Sequence, residues 1–160
     1  MLTVKSLEEA QQICKTEFGN SRTAAETVAL SNADGRVLHD DIIADEHIPG
    51  FDRSTVDGVA VMAADTFGSS DTMPAQLTFK GEILMGQDSE LVIKPGECAG
   101  VSTGGKLPGN ADSVVMVEYT EDFGDGFRYI GKPAGVRENV VLRGDDVHPG
   151  KTVLKKSTRL

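Results

Sequence analysis

The sequence predicts an α+β fold that is rich in short β-strands, with one helix near the amino terminus. Eighteen glycines, no tryptophan and an aromatic content of 5% in 160 residues indicate many turns around a modest core. Short apolar, β-branched runs alternate with Gly, Pro, Asn and Asp, a pattern typical of strands joined by tight turns. This length is sufficient for one domain or two small ones.

Charge and cysteine content argue against several classes of protein. The net charge is -9 without a basic run, so no nucleic-acid partner is expected, because phosphate contacts need clustered Lys and Arg. No apolar run approaches the roughly 20 residues of a membrane span, and the amino terminus lacks the apolar segment of a signal peptide. Cys14 and Cys98 have no metal-ligand spacing, so we expect reduced thiols and a cytoplasmic protein.

The predicted helix begins after Ser6, which can form a capping box with Glu9, and Gly19 ends it. Apolar residues recur at helical spacing between these signals, and Cys14 is expected in the core on that face. Apolar and alternating runs predict strands at 27–30, 40–44, from 59, 77–83, 91–93, 113–117 and 152–154, one helical turn at 31–35, and an acidic hairpin at 119–127 turning at Asp125-Gly126.

The first polar cluster lies in residues 49–61. Asp52 and Asp57 are five residues apart, and Arg53 and two hydroxyl residues lie between them. Pro49-Gly50 predicts a turn, and Gly58 is expected to break regular structure beside Asp57. The ordinary alternative is a capped turn, since Asp and Ser often bond their own backbone there.

The second cluster, residues 102–118, begins with a glycine-containing loop and continues into a strand. Thr103 precedes Gly104-Gly105, whose backbone can approach a ligand closely, and Lys106 adds a cation, so the loop could hold an anion. Its spacing is not that of a P-loop, and a plain tight turn is the alternative.

Four stretches together resemble the molybdopterin molybdenumtransferases, the MoeA family, to which the gephyrin E domain belongs. Residues 51–61 resemble the family's F-D-x-S-x-M-D-G-Y-A-V motif, and residues 102–118 resemble T-G-x-x-L-P-x-G-A-D-x-V-V-x-x-E. Residues 137–150 resemble G-E-N-x-R-x-x-G-E-D-V-x-x-G, and residues 33–44 resemble A-L-G-R-V-L-A-E-D-I-x-A. Asn110 replaces a family glycine; because Asn tolerates a left-handed conformation, the turn there should survive.

The resemblance implies bifurcated, coiled β-sheets in two domains. Residues 1–46 and 140–160 would form a discontinuous, dimer-forming first domain, and residues 47–139 an inserted β-rich second domain. Family members continue into a pterin-binding domain and a C-terminal β domain, so we expect this chain to be the N-terminal part of such a protein and to be inactive alone.

The implied activity is the transfer of molybdate to adenylylated molybdopterin with release of AMP, assisted by magnesium (Mg²⁺). The implied enzyme is a homodimer with a cleft shared between subunits, and its upstream partner is the molybdopterin-adenylylating enzyme. By motif position, Asp57, Thr103 and Asp146 are expected to be catalytic. The expected substrate-binding residues are Asp52, Ser54, Gly104, Gly105 and Lys106, and the expected metal ligands are Asp57, Asp145 and Asp146.

This chemistry is physically coherent, because a carboxylate close to an anion is repelled by about 1 kcal/mol in water and a divalent cation between them reverses the sign. Two alternatives remain open at this point. One is a non-catalytic dimerisation or scaffold module of the gephyrin type, and the other is a small β-domain that binds an anionic ligand. Magnesium-dependent binding of the pterin substrate separates the enzyme from the scaffold, and the molecular mass separates the scaffold from the small domain.

Overall fold

The computed structural model describes residues 4–21 and 23–160. The chain divides into two compact units, one built from the described part of Met1–Asp41 together with Leu154–Leu160, the other from Ile42–Val153. The family domain boundaries expected at 46/47 and 139/140 stay a prediction. None of the helices in the described residues is both long and apolar enough to cross a membrane.

Helix α1 (Leu7–Phe18) has the predicted amino-terminal cap. The Ser6 hydroxyl accepts from the Glu9 amide at 3.2 Å, and the Glu9 carboxylate accepts from the Ser6 amide at 2.8 Å. The prediction that Cys14 lies in the core is wrong, because α1 contains no buried residue and Cys14 is exposed. Helical periodicity identifies an apolar face, but it does not show what covers that face.

Two short strands expected from apolar runs are absent from the described structure. The segment 27–30 contains no strand, and a 3-10 helix, Leu30–Asn32, begins at its end. The segment 91–93 forms only an isolated bridge between Val92 and Gly109, although Ile93 is fully buried. Short apolar runs report burial, whereas a strand needs a neighbour that continues the hydrogen bonding along its length, and within the described structure the backbone of 91–93 pairs only with that of Gly109.

The other predicted strands form, several with shifted ends, and most belong to the unit of Ile42–Val153. The expected hairpin is confirmed, since Thr120 pairs with Ile130 and Glu121 with Tyr129 in antiparallel register. The strands in the described residues are β1 (Ile42–Ile43), β2 (Arg53–Ser54), β3 (Gly58–Val61), β4 (Ala75–Ile83), β5 (Glu97–Val101), β6 (Ser113–Met116), β7 (Thr120–Glu121), β8 (Phe127–Ile130), β9 (Val140–Val141) and β10 (Thr152–Leu154).

Six of these strands form one mixed sheet in the order β6-β3-β5-β4-β8-β7. β4 and β5 are parallel, and the other pairs are antiparallel. The register of β4 with β5 shifts between Phe79 and Glu82, an irregularity of the kind that bends and twists a sheet. Together with the two-stranded pairs β1-β10 and β2-β9, this gives the β-rich, curled architecture with one helix that the sequence predicts.

Both faces of the sheet are buried at strand β3. Val59 and Val61 join one apolar cluster and Ala60 joins the other, because successive side chains of a strand point to opposite faces. Because both faces are buried, the sequence of β3 is continuously apolar and does not alternate between apolar and polar residues. The clusters comprise Val59, Val61, Leu77, Cys98, Val115, Ile130 and Ala134 on one face, and Ala60, Ile83, Val101, Leu107 and Val114 on the other.

Gly58 begins β3 rather than breaking it, which corrects the sequence-based expectation. A Cβ at this position would lie 2.0 Å from the carbonyl oxygen of Val115, so the neighbouring strand leaves space only for glycine. The expectation for Asn110 is confirmed, since its φ of 69° is left-handed. Its side-chain amide also donates to the carbonyl of Ile93 at 3.0 Å and fixes the turn.

Candidate functional site

The two polar clusters of the sequence and a third one, the motif of residues 137–150, meet at β2. On one side β2 pairs with β9, which belongs to the third cluster, with Arg53 opposite Val141 and Ser54 opposite Val140. On its other side, the Ser54 amide donates to the Gly105 carbonyl at 3.0 Å, and the Gly104 amide donates to the Ser54 carbonyl at 2.8 Å. The backbone of β2 therefore holds segments that are far apart in the chain next to one another.

Asp57 and Thr103 are in direct contact. Oδ1 of Asp57 accepts from the Thr103 amide at 2.7 Å and from the Thr103 hydroxyl at 3.1 Å, and both residues are exposed. A threonine hydroxyl has one proton to donate, and this one is donated to the carboxylate. Thr103 therefore fixes the orientation of Asp57, and Oδ2 of Asp57 makes no hydrogen bond to the residues that the structure describes.

The amides of Gly104 and Gly105 are both used within the chain. Gly104, in a left-handed conformation with φ of 79°, donates to Ser54, and Gly105 donates to the Ser102 carbonyl at 2.8 Å. A Cβ on Gly105 would lie 2.8 Å from that same carbonyl oxygen. These glycines build a tight turn that presents Thr103, and donation of their amides to an oxyanion would require breaking these bonds.

Lys106 forms an ion pair that sequence reasoning missed. Its Nζ lies 2.5 Å from Oδ1 of Asp88, and this hydrogen bond, followed by the charge of Lys106, lowers the pKa of the Asp88 carboxyl. Asp88 lies in a segment whose Gly, Asp and Ser predict only a turn. Because the two residues are 18 positions apart, no local pattern indicates their pairing.

Ser54 and Asp52 bond mainly to the backbone. Ser54 is 2% exposed; its hydroxyl donates to the Val56 carbonyl at 2.5 Å and accepts from the Val56 amide at 3.2 Å. Oδ1 of Asp52 accepts from the Arg143 amide at 2.7 Å, which joins the first cluster to the third. The capped-turn alternative raised by the sequence therefore describes Ser54 well, and Asp52 connects two loops.

The three acids expected to bind magnesium are not gathered around one point. Asp145 accepts from the Leu142 amide at 2.8 Å within its own turn, whereas Asp57 contacts Thr103. The Asp146 amide and carbonyl bond to the Ile48 carbonyl and to Nζ of Lys151, and its exposed carboxylate makes no hydrogen bond to the described chain. Among the described residues, no group of three His, Cys, Asp or Glu side chains has the arrangement to hold a metal ion.

Comparisons with known proteins identify a family that matches nearly the whole chain. The family model described as the MoeA N-terminal region (domain I and II) matches residues 5–160. The molybdopterin molybdenumtransferase of Bacillus subtilis (strain 168) is 34% identical over 156 residues, which cover 96% of this chain and 36% of that protein. The protein of the same name from Staphylococcus aureus (strain Mu50 / ATCC 700699) is 36% identical over 136 residues, which cover 85% of this chain and 32% of that protein.

A solved structure, described as the molybdopterin biosynthesis moea protein from Pyrococcus horikosii, has the same architecture. It superposes with a TM-score of 0.83 at 36% identity, covering 99% of this chain and 40% of that one. The chain spans about a third of the length of the curated relatives named above. Matched along nearly its whole length in sequence and in fold, the chain belongs to the family of the MoeA N-terminal region, whose curated relatives include molybdopterin molybdenumtransferases.

Proposed function

We propose that the chain is the N-terminal part of an enzyme of molybdenum cofactor biosynthesis, which inserts molybdate into adenylylated molybdopterin with release of AMP. The family match and the names of the relatives support the reaction class. The contact of Asp57 with both donors of Thr103 is the observation that carries the proposal. It joins two motifs that are 46 residues apart and holds an exposed carboxylate in a fixed orientation.

In this function Asp57 is the residue that contacts the substrate. Its Oδ2 is oriented by the two bonds to Oδ1, so it can accept a proton or a hydrogen bond from a bound group without first being ordered. Thr103 is the positioning residue, and Asp146 adds a second exposed carboxylate. Asp52 and Ser54 hold the loops in place.

The described residues do not build a magnesium site by themselves, because Asp57 and Asp145 are engaged at separate places and no three His, Cys, Asp or Glu side chains among the described residues are arranged to hold a metal ion. Magnesium is commonly bound by one or two carboxylates together with waters and substrate phosphates. The described residues alone therefore do not form a three-acid site, and the role proposed for Asp57 is that of an oriented base and hydrogen-bond acceptor.

A homodimer with a shared cleft is the second part of the proposal. Helix α1 contains no buried residue, and Leu7, Ile13 and Phe18 are 70%, 42% and 69% exposed. Covering these side chains with a second copy would remove apolar surface from water, which is favourable. The substrate has to be supplied by an upstream reaction that adenylylates molybdopterin, and the enzyme of that reaction is the proposed partner.

A non-catalytic scaffold module of the gephyrin type is the alternative function. The bonds of Asp52, Ser54 and Asp145 to nearby backbone groups favour it, since side chains used in this way serve the loops themselves. The two functions make different predictions for Asp57. A scaffold would lose nothing but local order if this charge were removed.

The test is Asp57→Asn in a protein that also carries the further domains of the relatives. We expect molybdate-dependent AMP release to fall by at least tenfold, because the substitution keeps the shape and removes the proton acceptor. Asp34→Asn, at an exposed acid outside the site, is the matched control and should keep wild-type turnover. Unchanged turnover in the Asp57 variant would exclude the enzymatic role of this residue and favour the scaffold.

Thr103 gives a finer test of the same contact. Thr103→Ser keeps the hydroxyl that bonds Asp57 and should be nearly neutral, whereas Thr103→Ala removes it and should cost about 1 to 3 kcal/mol of transition-state stabilisation. The measurement is kcat/KM for the three proteins. Equal values for the Ser and Ala variants would show that the amide of Thr103 alone orients Asp57.

A further inference from the structure

Two cations lie side by side next to the turn that presents Thr103. Arg53 and Lys106 are directly opposite each other in an isolated antiparallel bridge. Residues in this relation carry their side chains on the same face, with Cβ atoms roughly 4.5–5.5 Å apart. Like charges on one face repel each other where their side chains approach, and Lys106 is offset by Asp88, whereas Arg53 is not offset by any described carboxylate. In a chain with a net charge of -9, such a pair is unusual.

Arg53 has no ionic partner in the part of the chain that the structure describes. Its Nε is shielded from solvent, yet this atom makes no hydrogen bond. A buried donor without an acceptor costs free energy, and a charged donor costs more. The neighbouring Ser54 is buried on the opposite face of β2, so the half-buried Arg53 side chain lies on the same face as that of Lys106.

The neighbouring Lys106 is paired with a carboxylate on a loop that lies next to the same turn. Asp88 is 2.5 Å from Nζ of Lys106, and its side chain is 86% exposed. On the same loop, the methyl carbon of Met85 lies 3.9 Å from the position that a Cβ of Gly104 would occupy. The Asp88 loop is therefore close to the Thr103 turn. An exposed ion pair of this kind is weak, which makes Asp88 replaceable by another anion.

We propose that Arg53 and Lys106 form a binding site for a tetrahedral oxyanion, and that Asp88 pairs with Lys106 until such an anion displaces it. Guanidinium groups bind oxyanions through several parallel N–H donors, and an ammonium adds a compact charge. The inference rests on the proposed function only for the identity of the molecule that carries the anion. Molybdate and the phosphates of adenylylated molybdopterin share this tetrahedral chemistry.

The test uses the 160-residue chain labelled with ¹⁵N-arginine and follows the Nε–H signals by NMR at low ionic strength. Sodium molybdate, inorganic phosphate and AMP are titrated separately. We expect the Arg53 signal to shift saturably with at least one of them. The Arg128 signal should stay in place, because that side chain is only 19% exposed, pairs with Asp122 at 2.8 Å and lies over the Phe79 ring. A shift with molybdate identifies the metal oxyanion as a ligand, and a shift with phosphate and AMP alone identifies the nucleotide phosphate.

Charge substitutions then distinguish a specific anion-binding site from nonspecific electrostatic attraction. Lys106→Gln should weaken binding by about tenfold, the usual effect of losing one charged hydrogen bond. Asp88→Asn should strengthen it by about threefold, because the competing carboxylate is removed. Glu90→Gln on the same loop and the exposed Lys94→Gln are matched controls and should change nothing.

Two results would overturn the proposal: no movement of the Arg53 signal with any of the three anions, or equal weakening by Lys106→Gln and Lys94→Gln. Wild-type binding is read on the unmodified chain, so a misfolded variant cannot mimic a negative result. Anion binding and molybdate insertion are measured separately. If anions bind at Arg53 but turnover does not depend on Asp57, this inference stands and the proposed function fails. If turnover depends on Asp57 but no anion binds at Arg53, only this inference fails.

Discussion

The two compact units differ in what their apolar residues contact. In the unit of Ile42–Val153, strands β3, β4, β5, β6 and β8 contribute residues to clusters from which water is excluded. In the described residues of the other unit, Ala33 is the buried apolar residue, and α1 exposes its whole apolar face. Both regions have apolar periodicity in sequence, so the pattern alone does not distinguish a core from a surface.

This difference shows where stability comes from in this chain. A helix of twelve residues is marginal in water on its own, even with good caps, because nucleation is costly. The sheet unit has long-range pairing and two apolar clusters to offset its loss of conformational entropy. We therefore expect the sheet unit to determine global unfolding, and α1 to depend on whatever covers it.

A matched pair of Ile→Ala substitutions tests this comparison with the largest effect. Ile130 is fully buried in the sheet unit, and Ile130→Ala should lower the free energy of unfolding by about 2 to 5 kcal/mol. Ile13 on α1 is 42% exposed, so Ile13→Ala should cost less than about 1 kcal/mol in the isolated chain. Urea unfolding followed by circular dichroism measures both. Comparable losses would mean that α1 is covered in solution.

Cys98, buried in the sheet unit, reports on the same difference through pH. Burial raises the pKa of the Cys98 thiol from 9.0 to about 12, so the folded protein keeps this proton where the unfolded chain loses it. Its contribution to stability is therefore fully present below about pH 9 and is lost progressively toward pH 12. Cys98→Ala should flatten the decline of the unfolding free energy between pH 9 and 10.5. A slope unchanged by the substitution would contradict the assignment.

Thiol labelling measures the same difference in burial at both cysteines. The exposed Cys14 should react with a thiol reagent at neutral pH in the native protein, whereas Cys98 should react only after urea is added. Mass spectrometry of the labelled peptides distinguishes the two sites. Protection of Cys14 that disappears on dilution would indicate that a second copy covers α1.

The smallest expected effect on stability comes from a substitution in the capping box of α1. Ser6→Ala removes the acceptor of the Glu9 amide and should lower helix stability by about 1 kcal/mol. The far-ultraviolet helical signal should fall while the unfolding midpoint of the sheet unit stays constant. Thr16→Ala, at an exposed hydroxyl on the same helix, is the control and should raise the helical signal slightly rather than lower it, because Ala has a higher helix propensity than Thr. A coupled shift of the sheet midpoint would show that the two units unfold together.

Local signals predicted local structure well. The capping box and Gly19 define α1, and the apolar run from residue 59 and the alternating residues 77–83 became β3 and β4. Asn110 adopted the conformation expected for the residue that replaces a family glycine. Each of these features depends on a few consecutive residues, so the sequence contains all the information needed.

Contacts between distant segments were the parts that the sequence could not predict from spacing. The family resemblance assigned Asp57 and Thr103 to the same site but did not predict their direct contact, and the pairing of Asp88 with Lys106 was not expected either. The strand expected at 27–30 failed because an apolar run does not specify a partner. Packing between strands also explains Gly58, because the neighbouring strand leaves no space for a side chain at this position.

The position of β2 between two distant segments has a consequence for synthesis of the protein. The bond from Thr103 to Asp57 spans 46 residues, and the bond from Arg143 to Asp52 spans 91. Closing such loops costs entropy that only the completed contacts repay. During translation the Asp57 loop cannot be held by Thr103 until residue 103 has left the ribosome, and the junction is completed only after residue 143 has followed.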